Sequence, residues 1–275
     1  MVAAAAVLAL AVGLLGPAIW GVISGPSAKD KIAADPVPAL FSDTAIRPAD
    51  ALVAPEAARA NRLMATWWKS HGSISDDAAF LAWLQRSFPA PPKAADRRKE
   101  LTILETQNRR HTATGVAAAT WLEAHGKKDI WKLYAHDQAE WMSGDAGDTR
   151  KADVKALLKL SKKASHRLSD NFAVSAPYVL EPALAHKKHK IVNGCPCSYP
   201  SNHAAKAAAS RTYLSAFQPH MADQYRWMED EIDWSRIYMA GHVPSDISGG
   251  ALLGDMVGEY FLVSRSGLKP AEARL

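Results

Sequence analysis

Cysteine is scarce in this chain, with two among 275 residues. That excludes a disulfide-rich scaffold and a zinc site built from thiolates alone, which needs four of them. Charge of one sign is not in large excess: 33 Lys and Arg against 28 Asp and Glu leave a formal +5. This balance suits an anionic partner without requiring one. No run of Lys or Arg is long enough for a nucleic-acid-binding arm, so nucleic acid is not expected as a partner. Strand-like alternation is missing too, since no stretch of about six residues alternates apolar and polar side chains convincingly. There is no internal repeat. Beyond the N-terminus no uninterrupted apolar run could cross a bilayer; the best candidate, Ile247 to Val263, is broken by Asp255 and Glu259, and charges at mid-membrane are costly.

What is present begins with the segment Val2 to Ile23, which carries no charge. A bilayer span takes about 20 apolar residues, so residues 1–27 read either as a cleaved signal peptide or as an uncleaved N-terminal membrane anchor. Both place the rest outside the cytoplasm, in the periplasm or tethered to the membrane by one helix. Residues 28–55 are rich in Pro, Ala and Asp without a period and read as a linker or extended arm. Residues 56–275 read as a single helical domain of ordinary globular composition, with 48% hydrophobic and 22% charged residues in the whole chain.

The helical period dominates that domain, and the fold class expected is all-α. Helices are predicted over Ala57 to Ser70, Asp76 to Phe88, Ala94 to about His125 as one long run, Asp129 to Met142 and Asp153 to about Leu168. After a Pro-containing irregular stretch from Ala176 to Pro200, they resume over His203 to Phe217, Gln224 to about Trp234, and Pro244 to Val263. Gly144 to Thr149 reads as a loop. Most of the nine tryptophans fall at helical spacing and read as core.

Two short segments carry the chemistry. The first is Ser198-Tyr199-Pro200-Ser201-Asn202-His203. It places Ser201 at the N-cap of an Ala-rich helix, where unpaired backbone N–H groups make an anion site, with His203 in the first turn. The second is Ser235-Arg236 followed by Gly241-His242-Val243-Pro244-Ser245-Asp246. Arg236 offers a planar fork of donors to a phosphate. If a helix opens near Pro244, Asp246 can reach back to His242. A carboxylate on Nδ1–H fixes the tautomer and leaves Nε2 free to attack.

Together these segments resemble the second and third signatures of the type 2 phosphatidic acid phosphatase superfamily, which includes the class A nonspecific acid phosphatases and the vanadium haloperoxidases. The third signature, Ser-Arg, five residues, His, three residues, Asp, is matched at Ser235, Arg236, His242 and Asp246. The second, Pro-Ser-Gly-His, is matched at Pro200, Ser201 and His203, with Asn202 in place of glycine. The resemblance spans about Leu160 to Val263. It implies a helical bundle of the acid phosphatase/haloperoxidase type. It also implies a metal-independent phosphatase with no cofactor, acting on a small phosphorylated substrate. By the same resemblance His242 is the nucleophile that becomes phosphohistidine, Asp246 orients it, and His203 protonates the leaving alcohol and then activates water. Arg236, Ser201 and the backbone N–H of Asn202 hold the phosphoryl oxygens.

The first signature, Lys, six residues, Arg, Pro, is degenerate. Ser169 stands at its lysine position and Ala176 at its arginine position, before Pro177. Arg167, Lys187, Lys188 and Lys190 are the basic residues expected to substitute, Lys190 first. Two other readings follow: a catalytically weakened or inactive anion-binding member of the same fold, and a vanadate-dependent haloperoxidase using the same pocket. Cys195 and Cys197 read as loop cysteines, without a metal and without a direct bridge, because a disulfide two residues apart is uncommon. His186-Lys187-Lys188-His189-Lys190 reads as solvated loop charge or as a funnel for an anionic substrate.

Overall fold

A computed structural model describes residues 25–185 and 196–273. The segments 1–24 and 186–195, with their expected roles, lie outside the described residues. The described residues are helical throughout, with no strand beyond an isolated bridge between Ser175 and Cys197, so the all-α class holds. The helices are α1 (Ala28–Ala34), α2 (Asp43–Val53), α3 (Glu56–His71), α4 (Asp77–Ser87), α5 (Ala94–Asn108), α6 (Ala113–His125), α7 (Asp129–Glu140), α8 (Gly144–Phe172), the single turn α9 (Pro177–Leu180), α10 (Asn202–Phe217), α11 (Ala222–Tyr238) and α12 (Pro244–Arg265). No helix among the described residues is long and apolar enough to cross a membrane.

Three expectations about elements are corrected. Residues 28–55 are not an arm: α1 is opened by a reciprocal capping box between Ser27 and Asp30, and α2 buries Ile46, Ala49 and Val53. The spacing of those three is helical, but Pro48 inside α2 argues locally against a helix. The run from Ala94 to His125 is two helices, because Thr112 caps α6 by accepting from the Gly115 N–H at 3.0 Å. A short polar side chain thus ends the run with no Pro or Gly to announce it. Residues Gly144 to Thr149 belong to α8, which starts directly after Ser143.

Helices α10 and α12 form the centre and make the most extensive helix pair. Every α10 side chain from His203 to Ser215 is buried. The approach is set by Gly250, Gly254 and Gly258, one turn apart on α12. A Cβ at Gly250 would lie 2.6 Å from the Ala204 Cβ and from the Ser201 carbonyl oxygen, and one at Gly258 would lie 2.8 Å from the Thr212 side chain. Small residues answer from α10: Ala204, Ala205, Ala208 and Ala209. Around this pair lie α3, α8 and α11. Trp67, Phe80 and Tyr260 form an aromatic cluster in which Phe80 and Tyr260 stack with centroids 4.0 Å apart. Six tryptophans are buried, as expected, whereas Trp141 is 88% exposed.

The core also holds acid. On α11, Glu229, Asp230, Glu231 and Asp233 are all buried, and Asp255 and Glu259 are buried on α12. Arg211 bridges Glu229 and Asp255, and Trp68 donates to Glu259 at 2.7 Å. Both carboxylate oxygens of Asp233 lack a hydrogen-bond partner. Burial, reinforced by the neighbouring Glu229, pushes Asp230 up to about 8. Burial alone is the main cause for Glu231, at about 7.

Two outcomes follow. Gly254→Ala would drive a methyl group to 2.6 Å from the Ala208 Cβ and 2.8 Å from the Ala209 amide nitrogen. The expected loss is about 1–3 kcal/mol in urea unfolding, and an unchanged midpoint would contradict the close packing. The second concerns pH. A carboxyl whose pKa is raised by folding binds more protons in the native state, so its contribution to stability falls as pH rises. Unfolding free energy should therefore decline from the ordinary carboxyl value near 3.8 up to about 8, with Asp230→Asn flattening part of that slope.

Candidate active site

Helix α11 ends in a six-residue backbone ring. Gly241 N–H donates to the Arg236 carbonyl at 2.9 Å and Ala240 N–H to the Ile237 carbonyl at 3.0 Å. This is the Schellman pattern, with the left-handed position taken by Ala240 at φ 52°. The reversal delivers His242, whose own N–H points to the same Arg236 carbonyl at 3.4 Å. Two residues later α12 begins at Pro244, a residue suited to the first helical position.

Asp246 sits in the first turn of α12 and is completely buried. Its Oδ2 accepts from the Val243 N–H at 3.1 Å and lies 3.7 Å from His242 Nδ1. The latter is ion-pair distance, longer than a hydrogen bond, and His242 Nδ1 has no hydrogen-bond partner. The expectation that Asp246 serves His242 is thus only partly met. Its strongest partner is Arg97 of α5, whose Nη1 donates to Oδ1 at 2.6 Å while Nη2 donates to Ser198 Oγ at 3.1 Å. Burial raises the Asp246 pKa, but His242 and Arg97 outweigh it and hold the carboxyl below its ordinary value. Beside it, Glu100 accepts from the Ser245 N–H at 2.8 Å and from its hydroxyl at 2.7 Å, fixing the start of α12 to α5.

The first turn of α10 meets this corner directly. Ser201 is the N-cap, as its sequence predicts, and its Oγ accepts from the Ala204 N–H. Its own N–H donates to the Asp246 carbonyl at 2.9 Å, so the two chemistry-bearing segments are joined through backbone. Asn202 Oδ1 accepts from Ser165 Oγ of α8 at 3.0 Å. His203 is buried, with Nε2 at 3.4 Å from the Glu123 carbonyl of α6. That oxygen can only accept, so the ring proton faces it from Nε2. Burial first, then the positive charges of Arg236 and Lys127 and the proximity of His242, hold His203 well below the usual imidazole range. It is therefore neutral at rest.

Arg236 reaches the same turn of α6. Its Nη2 donates to the Ala119 carbonyl at 3.0 Å, its Nε to Ser235 Oγ at 3.1 Å, and its Nη1 lies 3.5 Å from a Glu123 carboxylate oxygen. Ser201, Asn202, His203, Arg236, His242 and Asp246 are thus brought together by the end of α6 and the starts of α10 and α12. Arg236 and the two histidines share one electrostatic neighbourhood.

The degenerate first segment lies against the same corner without supplying charge. Ser169 Oγ donates to the Tyr199 carbonyl at 3.1 Å, and Ala176 N–H donates to the Pro196 carbonyl at 2.8 Å. Of the expected substitutes, Arg167 instead lines a cleft of about 700 Å³ with Lys159, Lys162, Lys163, His166, Asp77 and Asp170. Lys187, Lys188 and Lys190 lie outside the described residues. A cation near Arg236 is Lys127, two residues past the end of α6, which nothing in the local Gly-Lys-Lys sequence singles out. Arg97 was also missed; nothing distinguishes it within Asp-Arg-Arg-Lys-Glu, because only its partner 149 positions away reveals its burial. Cys197 is disulfide-bonded, which corrects the expectation of unbridged loop cysteines.

The buried Arg97–Asp246 pair gives a clear test. Removing one member of such a pair strands the other charge, so Arg97→Met should cost about 3–5 kcal/mol in denaturant unfolding. The double variant Arg97→Met/Asp246→Asn should cost less than the sum of the two single changes. Strict additivity would show that the two groups do not interact.

Compared with models of known protein families and with curated proteins, this chain matches none, and no family is assigned to it by similarity.

Proposed function

We propose that this chain is an exported phosphate-ester hydrolase that works through a phosphohistidine, on a helical bundle of the acid phosphatase/haloperoxidase type. The observation that carries the reading is the Ser201 N–H bond to the Asp246 carbonyl. It joins the N-terminus of α10 to the first turn of α12, and Arg236 and His242 are among the charges that His203 feels. The disulfide at Cys197 fits an oxidising compartment and so favours export, to the periplasm or to a membrane tether formed by the N-terminal segment.

The reaction proceeds in two displacements. A phosphate ester enters beside Arg236 and the open N–H groups of α10. Its negative charge offsets the cations that suppress His203, which takes up a proton from solvent. His242 Nε2 attacks phosphorus; the N–P bond forms as the bond to the ester oxygen breaks, and His203 gives its proton to the departing alcohol. Water then attacks the phosphohistidine, passing a proton to His203 as the N–P bond breaks and inorganic phosphate leaves. Fixed positive charge at the phosphoryl oxygens is the main source of rate. Arg236 supplies part of it and Lys127 replaces part of what Ser169 and Ala176 do not.

A specific observation favours a second reading, an anion-binding protein with weak or no turnover: Asp246 is engaged by Arg97 more closely than by His242. A chromogenic phosphate ester assayed with purified protein separates the two. The hydrolase reading expects turnover whose kcat/KM rises from mildly alkaline to mildly acidic pH, because His203 must be protonated. It also expects an acid-labile phosphoenzyme on rapid quench, and loss of both signals in His242→Ala. Turnover that persists undiminished in His242→Ala would overturn the nucleophile assignment. Absence of turnover with retained phosphate binding would establish the binder, and halide oxidation on adding vanadate would establish the haloperoxidase.

A further inference from the structure

A cavity of about 470 Å³ opens where the starts of α2 and α6 and the end of α5 meet α11. That volume suits a small ligand, since ligand pockets hold roughly 300–1,000 Å³. Trp234 and Tyr238 of α11 line it, two residues either side of Arg236. Residues two apart on a helix are about 200° of rotation apart, so the cavity lies on a different face of α11 from Arg236. None of Ser201, His203, Arg236, His242 and Asp246 lines it.

One wall is aromatic. Phe41 and Tyr238 tilt toward each other with ring centroids 5.0 Å apart. Phe41 is held by its own N–H, which donates to Glu231 at 3.3 Å, and Tyr238 by its hydroxyl, which accepts from the Thr112 N–H at 2.8 Å. Trp234 is 6% exposed, and its Nε1 has no hydrogen-bond partner among the described residues. An indole can only donate, and a buried donor costs free energy unless an acceptor reaches it.

The other wall is positive. Ser42 and Thr112, the residues that precede α2 and α6, line the cavity together with Thr44 and Thr114 of the first turns. In α2 the Ala45 and Ile46 N–H groups return to the Ser42 carbonyl, and the Ser42 side chain makes no cap. In α6 the Gly115 and Val116 N–H groups are taken by Thr112. The N–H groups of Thr44 and Thr114 therefore have no acceptor within their own helices, and two positive helix ends border one space. Arg110 adds a full charge. Arg109 beside it is tied to Thr106 at 3.2 Å, whereas Arg110 forms no ion pair among the described residues. No carboxylate lines the cavity; Asp43, in the first turn of α2, is exposed and outside the lining.

We propose that this cavity is a second binding site, for a small aromatic oxyanion. The ring lies against Phe41, Trp234 and Tyr238, and the oxyanion is held by Arg110 and the Thr44 and Thr114 N–H groups. The site is independent of the hydrolase reading, since it uses none of that reading's residues.

The test titrates the full chain with phenylphosphonate, whose carbon–phosphorus bond resists hydrolysis. Nuclear magnetic resonance follows the Thr44 and Thr114 amides and the Trp234 indole N–H, the latter identified by its loss in Trp234→Phe. All three signals should move together and saturate. Methylphosphonate, which lacks the ring, and benzyl alcohol, which lacks the charge, should each bind about tenfold more weakly. Arg110→Gln changes an exposed side chain and should weaken phenylphosphonate about fivefold at these signals, leaving any response near His242 unaltered. If the three signals stay still, whether or not those near His242 move, the site is overturned. A titration unaffected by Arg110→Gln overturns it as well. Equal binding of methylphosphonate or of benzyl alcohol overturns the aromatic oxyanion as its ligand. A saturating response at the three signals, with none near His242, upholds this site and counts against the hydrolase reading alone.

Discussion

Gly250, Gly254 and Gly258 let α12 approach α10 at a distance where backbone meets backbone. Much of the remaining geometry depends on this contact. Because the two helices touch along this line, the first turn of α10 abuts the first turn of α12, and Ser201 can donate its N–H to the Asp246 carbonyl. A larger side chain on the line would separate the helices at the end where the chemistry is concentrated. The small residues of α10 are thus spent on positioning. The apolar volume that a core needs is supplied elsewhere, by the aromatic cluster of Trp67, Phe80, Trp83 and Tyr260 and by the leucines of α8.

Electrostatically the interior divides into an acidic and a basic part. Carboxyl groups fill the space between α11, α10 and α12, where Arg211 is engaged by Glu229 and Asp255. Cations gather at the other side, where the end of α6, the middle of α8 and the first turns of α10 meet. Arg236 stands near the boundary, influenced by Glu123 and by Asp233. Desolvation dominates in both parts: it keeps the acids protonated toward neutrality and weakens the protonation of His203 and Lys206.

The sequence made the local chemistry legible and left the long-range partners hidden. Ser201 as an N-cap, His203 in the first turn and Asp246 in the first turn after Pro244 follow from short-range rules, and the structure has them so. The class of fold was readable from period alone. Arg97, Glu100, Glu123 and Lys127 were not, since each looks like an ordinary solvated charge and gains its meaning only from a partner brought by tertiary packing. The same holds for α2, where Pro48 masks a helix that packing against the core sustains. The break before α6 fell to the opposite cause, a side-chain cap competing with a continuous helical pattern.

The ring that closes α11 has a consequence for how this segment can vary. Arg236 binds Gly241 and His242 through its carbonyl oxygen while its guanidinium reaches α6. One residue therefore acts as a hinge pin for the imidazole through its main chain and as an anchor through its side chain. The interval between Arg236 and His242 is the circumference of a hydrogen-bonded loop, and its length is set by helix-termination geometry. Side chains at Ile237, Tyr238 and Met239 are free to change within the limits of packing. An inserted or deleted residue would open the loop and turn His242 away, however well the flanking residues were preserved.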